Sequence, residues 1–141
     1  MTERLHLIKM SVGSETVAGL AAWQEHRLAL TGELVHPTRM APKRAAEVLD
    51  GGSIYWVFRK AIRARQAILD LRAEEDAEGR AYCAIVLEPG LVEVENWPHR
   101  AFQGWRYLPA AKAPPDRGPV GRMDAEMPEE MAKDLRDLGF L

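Results

Sequence analysis

Cysteine is nearly missing from this chain. Cys83 is the single one among 141 residues, so no disulfide can close within the chain and an oxidised, secreted scaffold is not expected. Zinc sites built from clustered thiolates are excluded with it. Long apolar runs are missing too, and nothing approaches the roughly 20 residues a membrane-spanning helix requires. The segment MTERLHLIKMSVG holds only a short apolar run broken by His6 and Lys9, without the apolar core of a signal peptide. A cytoplasmic protein is therefore expected. Charge of one sign is not in excess: 19 Lys and Arg stand against 21 Asp and Glu, a formal net charge of -2. That balance argues against a dedicated polybasic nucleic-acid binder, though a local basic face remains compatible with it.

Catalytic signatures are equally scarce. There is no HExxH, and no histidine pair stands at i, i+4. No serine lies in a G-x-S-x-G context. Gly51-Gly52-Ser53 precedes a strand-like run, whereas the glycines of a P-loop lead into a helix. No catalytic residue, metal ligand or cofactor is assigned from these patterns.

What is present is the makeup of one globular domain. Apolar residues form 47% of a chain long enough to bury a core without covalent staples. Leu5 to Val12 predicts a short strand, broken by Gly13. Ser14 is the expected N-cap of a helix over Glu15 to Leu30, with Glu15 in its first turn. Leu20, Trp23, Arg27 and Leu30 follow helical spacing, and so do Val17, Ala21, Gln24 and Leu28. Gly32 ends that helix. Val35 to Met40 is expected to be extended, because Pro37 disfavours helix at His36. A short helix over Lys43 to Leu49 should stop at Gly51-Gly52. Ser53 to Phe58 is rich in aromatic and β-branched residues and predicts a strand.

The stretch from Ile62 to Glu74 carries two periods. Ala61, Ala64, Ile68 and Leu71 fall at helical spacing, while Leu69, Leu71 and Ala73 alternate with polar residues. A polar turn over Glu75 to Gly79 and the strand-like AYCAIVLE follow, so a hairpin, and hence strand, is favoured. Leu91 to Glu95 alternates and predicts another strand. Trp97 to Arg100 reads as a loop, and Phe102 to Leu108 as an aromatic segment packing partly into the core. The organisation expected is one α+β domain over residues 1–110, a Pro/Gly-rich arm over 111–127 without regular structure, and a docked helix over 128–141.

One basic set stands out: Arg39, Lys43, Arg44, Arg59, Lys60, Arg63 and Arg65. Between Val35 and Leu69 only Glu47 and Asp50 oppose it. Arginine forks and lysine point charges suit phosphate oxygens. The same set also reads as a solvated surface balanced by the acidic turn Glu74 to Glu78. Among the aromatics Tyr55, Trp56, Trp97, Trp105 and Tyr107, Trp56 reads as core. Trp105 follows Gly104, precedes Arg106 and has Gln103 nearby, which suits base stacking with a polar contact. His36 and His99 both adjoin proline and, if they met in space, would allow general-base chemistry. His6 and His26 carry no such signal. Cys83 reads as a small core residue, and Glu93 with Glu95 as a weak carboxylate pair on one strand face.

The strings LHLIKMSVG, HPTRMAPKRAAEVLDGGSIYWVFRKAIRARQAILDL, CAIVLEPGLV and FQGWRYL closely resemble the bacterial, mostly alphaproteobacterial, domain-of-unknown-function family 1489. That resemblance implies no activity and no site residue. The order of a short helix, a Gly-bounded aromatic strand in EVLDGGSIYWVF, a second strand, a hairpin and an aromatic closing segment is similar to PUA-like barrels of the ASCH and EVE kind. It implies a small, mostly antiparallel, barrel-like sheet and binding of RNA or of modified bases in DNA. Arg59-Lys60 departs from the Gly-containing turn expected there. The leading expectation is a non-enzymatic nucleic-acid or nucleotide-binding module that uses the basic set with Gln103, Trp105 and Arg106. The alternatives are an adaptor that docks through the Pro-rich arm and Met131, Leu135 and Leu138, or a small enzyme built on His36, His99 and carboxylates.

Overall fold

The computed structural model describes residues 4–119. Alternating apolar residues build the strands, and glycines delimit several of them. Strand β1 (Leu5–Met10) leads through the loop at Gly13 into helix α1 (Val17–Thr31). Thr16, not Ser14, caps the helix: its hydroxyl accepts a bond from the Gly19 amide at 3.0 Å. Glu15 therefore lies outside the helix. Gly32 closes α1 in the left-handed conformation at φ 80°. Then come β2 (Leu34–Thr38), the one-turn helix α2 (Ala45–Leu49), β3 (Ser53–Phe58) and the long β4 (Ala61–Glu75). The chain continues with β5 (Ala81–Leu87), β6 (Val92–Pro98), β7 (Trp105–Pro109), a 3₁₀ turn at Ala110–Lys112 and β8 (Asp116–Pro119).

The sheet is mixed and open. Its main path runs β2-β5-β4-β3-β1-β7, with β6 on β4 and β8 on β6. β1 and β3 run parallel, whereas β7 pairs with β1 antiparallel. This supports the α+β class and corrects the expected barrel. A barrel needs a closed ring of pairing, but the main path ends at β2 and β7.

β4 organises the whole. Over its first half it pairs with β3 and β6, and over its second half with β5. Two register shifts interrupt it. One leaves Arg63 without a place in the ladder, between the pairs Trp56–Ala64 and Val57–Ile62. The other skips Leu69, between Ile68–Leu87 and Asp70–Val86. Each extra residue turns the strand over.

Two apolar layers result. On one face Leu7, Trp56, Phe58, Ala64, Ile68 and Ile85 of the sheet cluster with Leu20 of α1. On the other, Ile8, Tyr55, Val57, Ile62, Val94 and Leu108 form a smaller cluster. The second helical stripe buries Gln24 and partly buries Val17, Ala21 and Leu28. On the first stripe Leu20 is buried, while Trp23 and Leu30 face solvent. Trp97 and Pro98 belong to β6 rather than to a loop. Part of the expected arm is ordered: Asp116–Pro119 pairs with β6. The helix anticipated at 128–141 lies outside the described residues. Among those described, no helix is long and apolar enough to cross a membrane.

Candidate functional site

A recess of about 200 Å³ lies between α1 and the sheet. Leu20, Leu34 and Leu87 supply apolar wall. Trp56 and His36 meet edge to face, ring centroids 5.4 Å apart. Residues Ser11 to Ser14 form one lip, held by a bond from the Ser11 hydroxyl to the Ser14 carbonyl at 2.9 Å. Trp23 and Arg27 form another, with the guanidinium 5.7 Å from the Trp23 ring centroid. Trp23 is 51% exposed, so its indole meets both the recess and solvent. No carboxylate lines this cavity among the described residues.

The site is held in shape by an amide pair. The Gln24 side chain donates to Gln66 Oε1 and Gln66 donates back to Gln24 Oε1, each at 2.8 Å. Gln66 also donates to the Glu88 carbonyl at 3.0 Å, and the Trp56 indole N–H points to Gln66 Oε1 at 3.4 Å. Both glutamines are buried. Unpaired amides would be costly there, so the pair fixes α1 at one position over the sheet.

His36 Nε2 is buried and has no hydrogen-bond partner among the described residues. Burial, helped by the positive charge of Lys9, pulls the imidazole down to about 4, so it is neutral near pH 7. Lys9 is half-buried, which lowers its own pKa. It stands opposite Trp56 in one ladder and Trp105 in the other, and so shares the face beneath α1. The cavity thus combines two indoles, an unsatisfied neutral imidazole and nearby positive charge.

The basic set does not gather into one face. Arg39 bonds Asp76 at 3.0 Å, near the β4–β5 turn. Arg59 pairs with Glu15 at 3.0 Å, and with Lys60 it forms the tight β3–β4 turn. Arg63, turned inward by its bulge, is 6% exposed and donates to the Phe58 carbonyl at 2.9 Å. The expected phosphate contact from Arg63 therefore has no surface to act from. Arg65 lies on the opposite face of the sheet and holds Asp116 through two bonds of 2.7 Å. Arg44 grips Glu47 and covers the Tyr107 ring at 5.6 Å, and Lys43 beside it is exposed.

The Trp105 segment is only partly available. Its indole N–H donates to the Met40 carbonyl at 2.7 Å, and its ring packs against Tyr107. Arg106 folds back on the Gln103 carbonyl and over the Phe102 ring, leaving the Gln103 side chain exposed. His36 and His99 do not meet: His99 packs against Phe102. Glu93 is buried whereas Glu95 is exposed, which separates that carboxylate pair. Cys83 is buried, which pushes its thiol pKa up. Among the described residues no group of three or more His, Cys, Asp or Glu is placed to hold a metal ion.

Lys9, Trp23, Gln24, Arg27 and Gln66 were not read as site residues from the sequence. One signal was present, since Gln24 interrupts an otherwise apolar helical stripe. For Trp23 the spacing was misleading, because its stripe turns outward after Leu20.

A family model described as "Protein of unknown function (DUF1489)" matches residues 7–141, and the chain belongs to that family. No curated protein and no solved structure matches the chain.

Proposed function

We propose that this member of the DUF1489 family binds a single planar ring displayed by a larger anionic ligand, most simply a base of single-stranded nucleic acid. The observation that carries this reading is the cavity beneath α1, lined by Trp23, Trp56 and His36 and, among the described residues, by no carboxylate. Its volume of about 200 Å³ is below the roughly 300–1,000 Å³ of sites that engulf a whole small molecule. A ring fits while the rest of its carrier stays outside. Trp23 offers a stacking face at the entrance, and Arg27 offers charge to a phosphate beside it. The unsatisfied His36 Nε2 is a polar contact for a ring edge. The basic set and Trp105 segment named from the sequence give this reading no common face, whereas Lys9 and Arg27 lie at or near the cavity.

Fluorescence anisotropy of labelled single-stranded RNA and DNA, at low and high salt, tests it. The wild-type chain is expected to bind, with affinity falling as salt rises. Trp23→Ala should weaken binding about tenfold, the scale of one lost base stack, and Arg27→Glu should weaken it further. Absence of binding at low salt, or equal affinity of Trp23→Ala and wild type, overturns the proposal. A second reading rests on the exposed Val12, Trp23 and Leu30: the recess would take an apolar side chain of a protein partner. Binding of that kind would depend on Trp23 but not on Arg27. The adaptor role assigned to Met131, Leu135 and Leu138 lies outside the described residues.

A further inference from the structure

The face of the sheet opposite α1 carries a second recess of about 240 Å³, lined by Arg4, His6, Ser53, Tyr55, Arg65 and Asp116 among others. Its floor is rigid. Tyr55 and Arg65 stand opposite one another in the β3–β4 ladder, and the β1 side chain His6 meets Tyr55 edge to face at 5.0 Å. Arg65 is fixed at three nitrogens: Nη1 donates to the Ser53 hydroxyl at 3.0 Å, while Nε and Nη2 form a fork on the two Asp116 oxygens. The Ser53 amide donates to His6 Nδ1 at 3.0 Å, which leaves the proton of the neutral ring on Nε2. Burial, then the charges of Arg65 and Arg4, hold the His6 pKa down at about 4, and Asp116 works against them.

This is the geometry with which proteins grip an oxyanion: a planar fork, a second arginine and neutral donors. The fork is already filled, but by a carboxylate from the last described strand. That strand, β8, has four residues, and its pairing with β6 is irregular between Glu93 and Val94. Two arginines face one carboxylate among the residues lining the recess, so positive charge is left over. The recess also contains volume that Asp116 does not fill.

We propose that the Arg4–Arg65 recess is an oxyanion-binding site, for a phosphate or carboxylate group, and that Asp116 is its tethered competitor. Ligand and Asp116 take the Arg65 fork in alternation, so displacement of Asp116 accompanies binding. The apparent affinity of the wild-type chain is then lowered by the fraction of molecules in which Asp116 occupies the fork. This site is separate from the cavity beneath α1 and does not depend on the function proposed for it.

The test uses the full chain with inorganic phosphate and, in parallel, acetate. Calorimetry is expected to show phosphate binding about two- to fivefold tighter in Asp116→Asn than in wild type, the scale of one partly exposed ion pair. NMR of the His6 ring locates the event: bound phosphate should raise the His6 pKa above its ligand-free value in Asp116→Asn. Arg4→Gln, at an exposed position, should weaken phosphate binding severalfold in both backgrounds. Tighter binding of acetate than phosphate assigns the site to carboxylate ligands, and the reverse assigns it to phosphates. Equal affinity in wild type and Asp116→Asn, an unmoved His6 pKa, or an Arg4→Gln variant that binds as well as its parent overturns the proposal.

Discussion

At Gly52 no side chain fits. A Cβ there would lie 2.3 Å from the Val48 carbonyl oxygen and 2.4 Å from that of Leu5, both backbone atoms that cannot swing aside. The glycine lets the end of α2 close down onto β1 just before β3 begins. Gly52→Ala is therefore expected to cost about 3 kcal/mol, read as a lower urea midpoint with an unchanged denaturant slope. Gly51 beside it has φ +86°, but a Cβ there would meet only the flexible Arg4 side chain. At the same scale, Gln66 shows how one polar residue joins two elements, its amide serving α1, the Trp56 indole and the Glu88 carbonyl together.

Among the elements, β4 accounts for the ambiguity of its own sequence. Ala64, Ile68 and Leu71 belong to one apolar layer although they are spaced four and three residues apart. An unbroken strand cannot place residues three apart on one face. The bulge at Leu69 inserts the missing step, and Leu69 itself is left 56% exposed. A helical spacing was thus written by a bulged strand. The turn that starts β4 carries a second irregularity: Arg59 and Lys60 have φ of 48° and 67°, a conformation glycine adopts at least cost. Lys60→Gly is expected to raise stability by about 0.5–1 kcal/mol, measured as a higher urea midpoint. Arg59 keeps its surface pair with Glu15 in that variant, so the change isolates backbone strain.

For the whole molecule, the two sheet faces share one electrostatic habit. Each holds a histidine beside positive charge, the half-buried His36 near Lys9 and the buried His6 between Arg65 and Arg4. Both titrate near 4 when folded against 6.5 when unfolded. Between those values the unfolded chain binds protons that the native chain refuses. Stability is therefore fully present above 6.5 and is lost as pH falls toward 4, by at most about 1.4 kcal/mol per pH unit for each histidine. Urea midpoints across this window should show the loss, and His36→Asn should remove about half of it, the His6 share remaining. Arginine hydrogen bonds lower the pKa values of Glu33, Glu47 and Asp116, and the Arg80 backbone amide, then Arg39, lowers that of Asp76, so their contribution is lost only at more acid pH.

Local chemistry in the sequence sufficed for much of the fold. The strand over Ser53–Phe58, the hairpin around Gly79, the glycine end of α1 and the α+β class all follow from residues acting on near neighbours. The core role of Trp56 and the burial of Cys83 follow from their apolar surroundings in the chain. Tertiary structure decided what no local signal encodes. It joined β1 in parallel to β3, paired β8 with β6, and left the sheet open. It also dispersed the basic residues that sequence had gathered: one bulge sent Arg63 inward, the other face of the sheet took Arg65, and acidic partners from distant segments took Arg39, Arg59 and Arg65. The physical reason is that side-chain direction in a sheet is set by register, and register is fixed by pairing between strands far apart in the chain. Strand pairing brought Lys9, His36 and Trp56 together, and the docking of α1 through Gln24 and Gln66 brought Trp23, so four separate elements meet at the cavity beneath α1 or its margin.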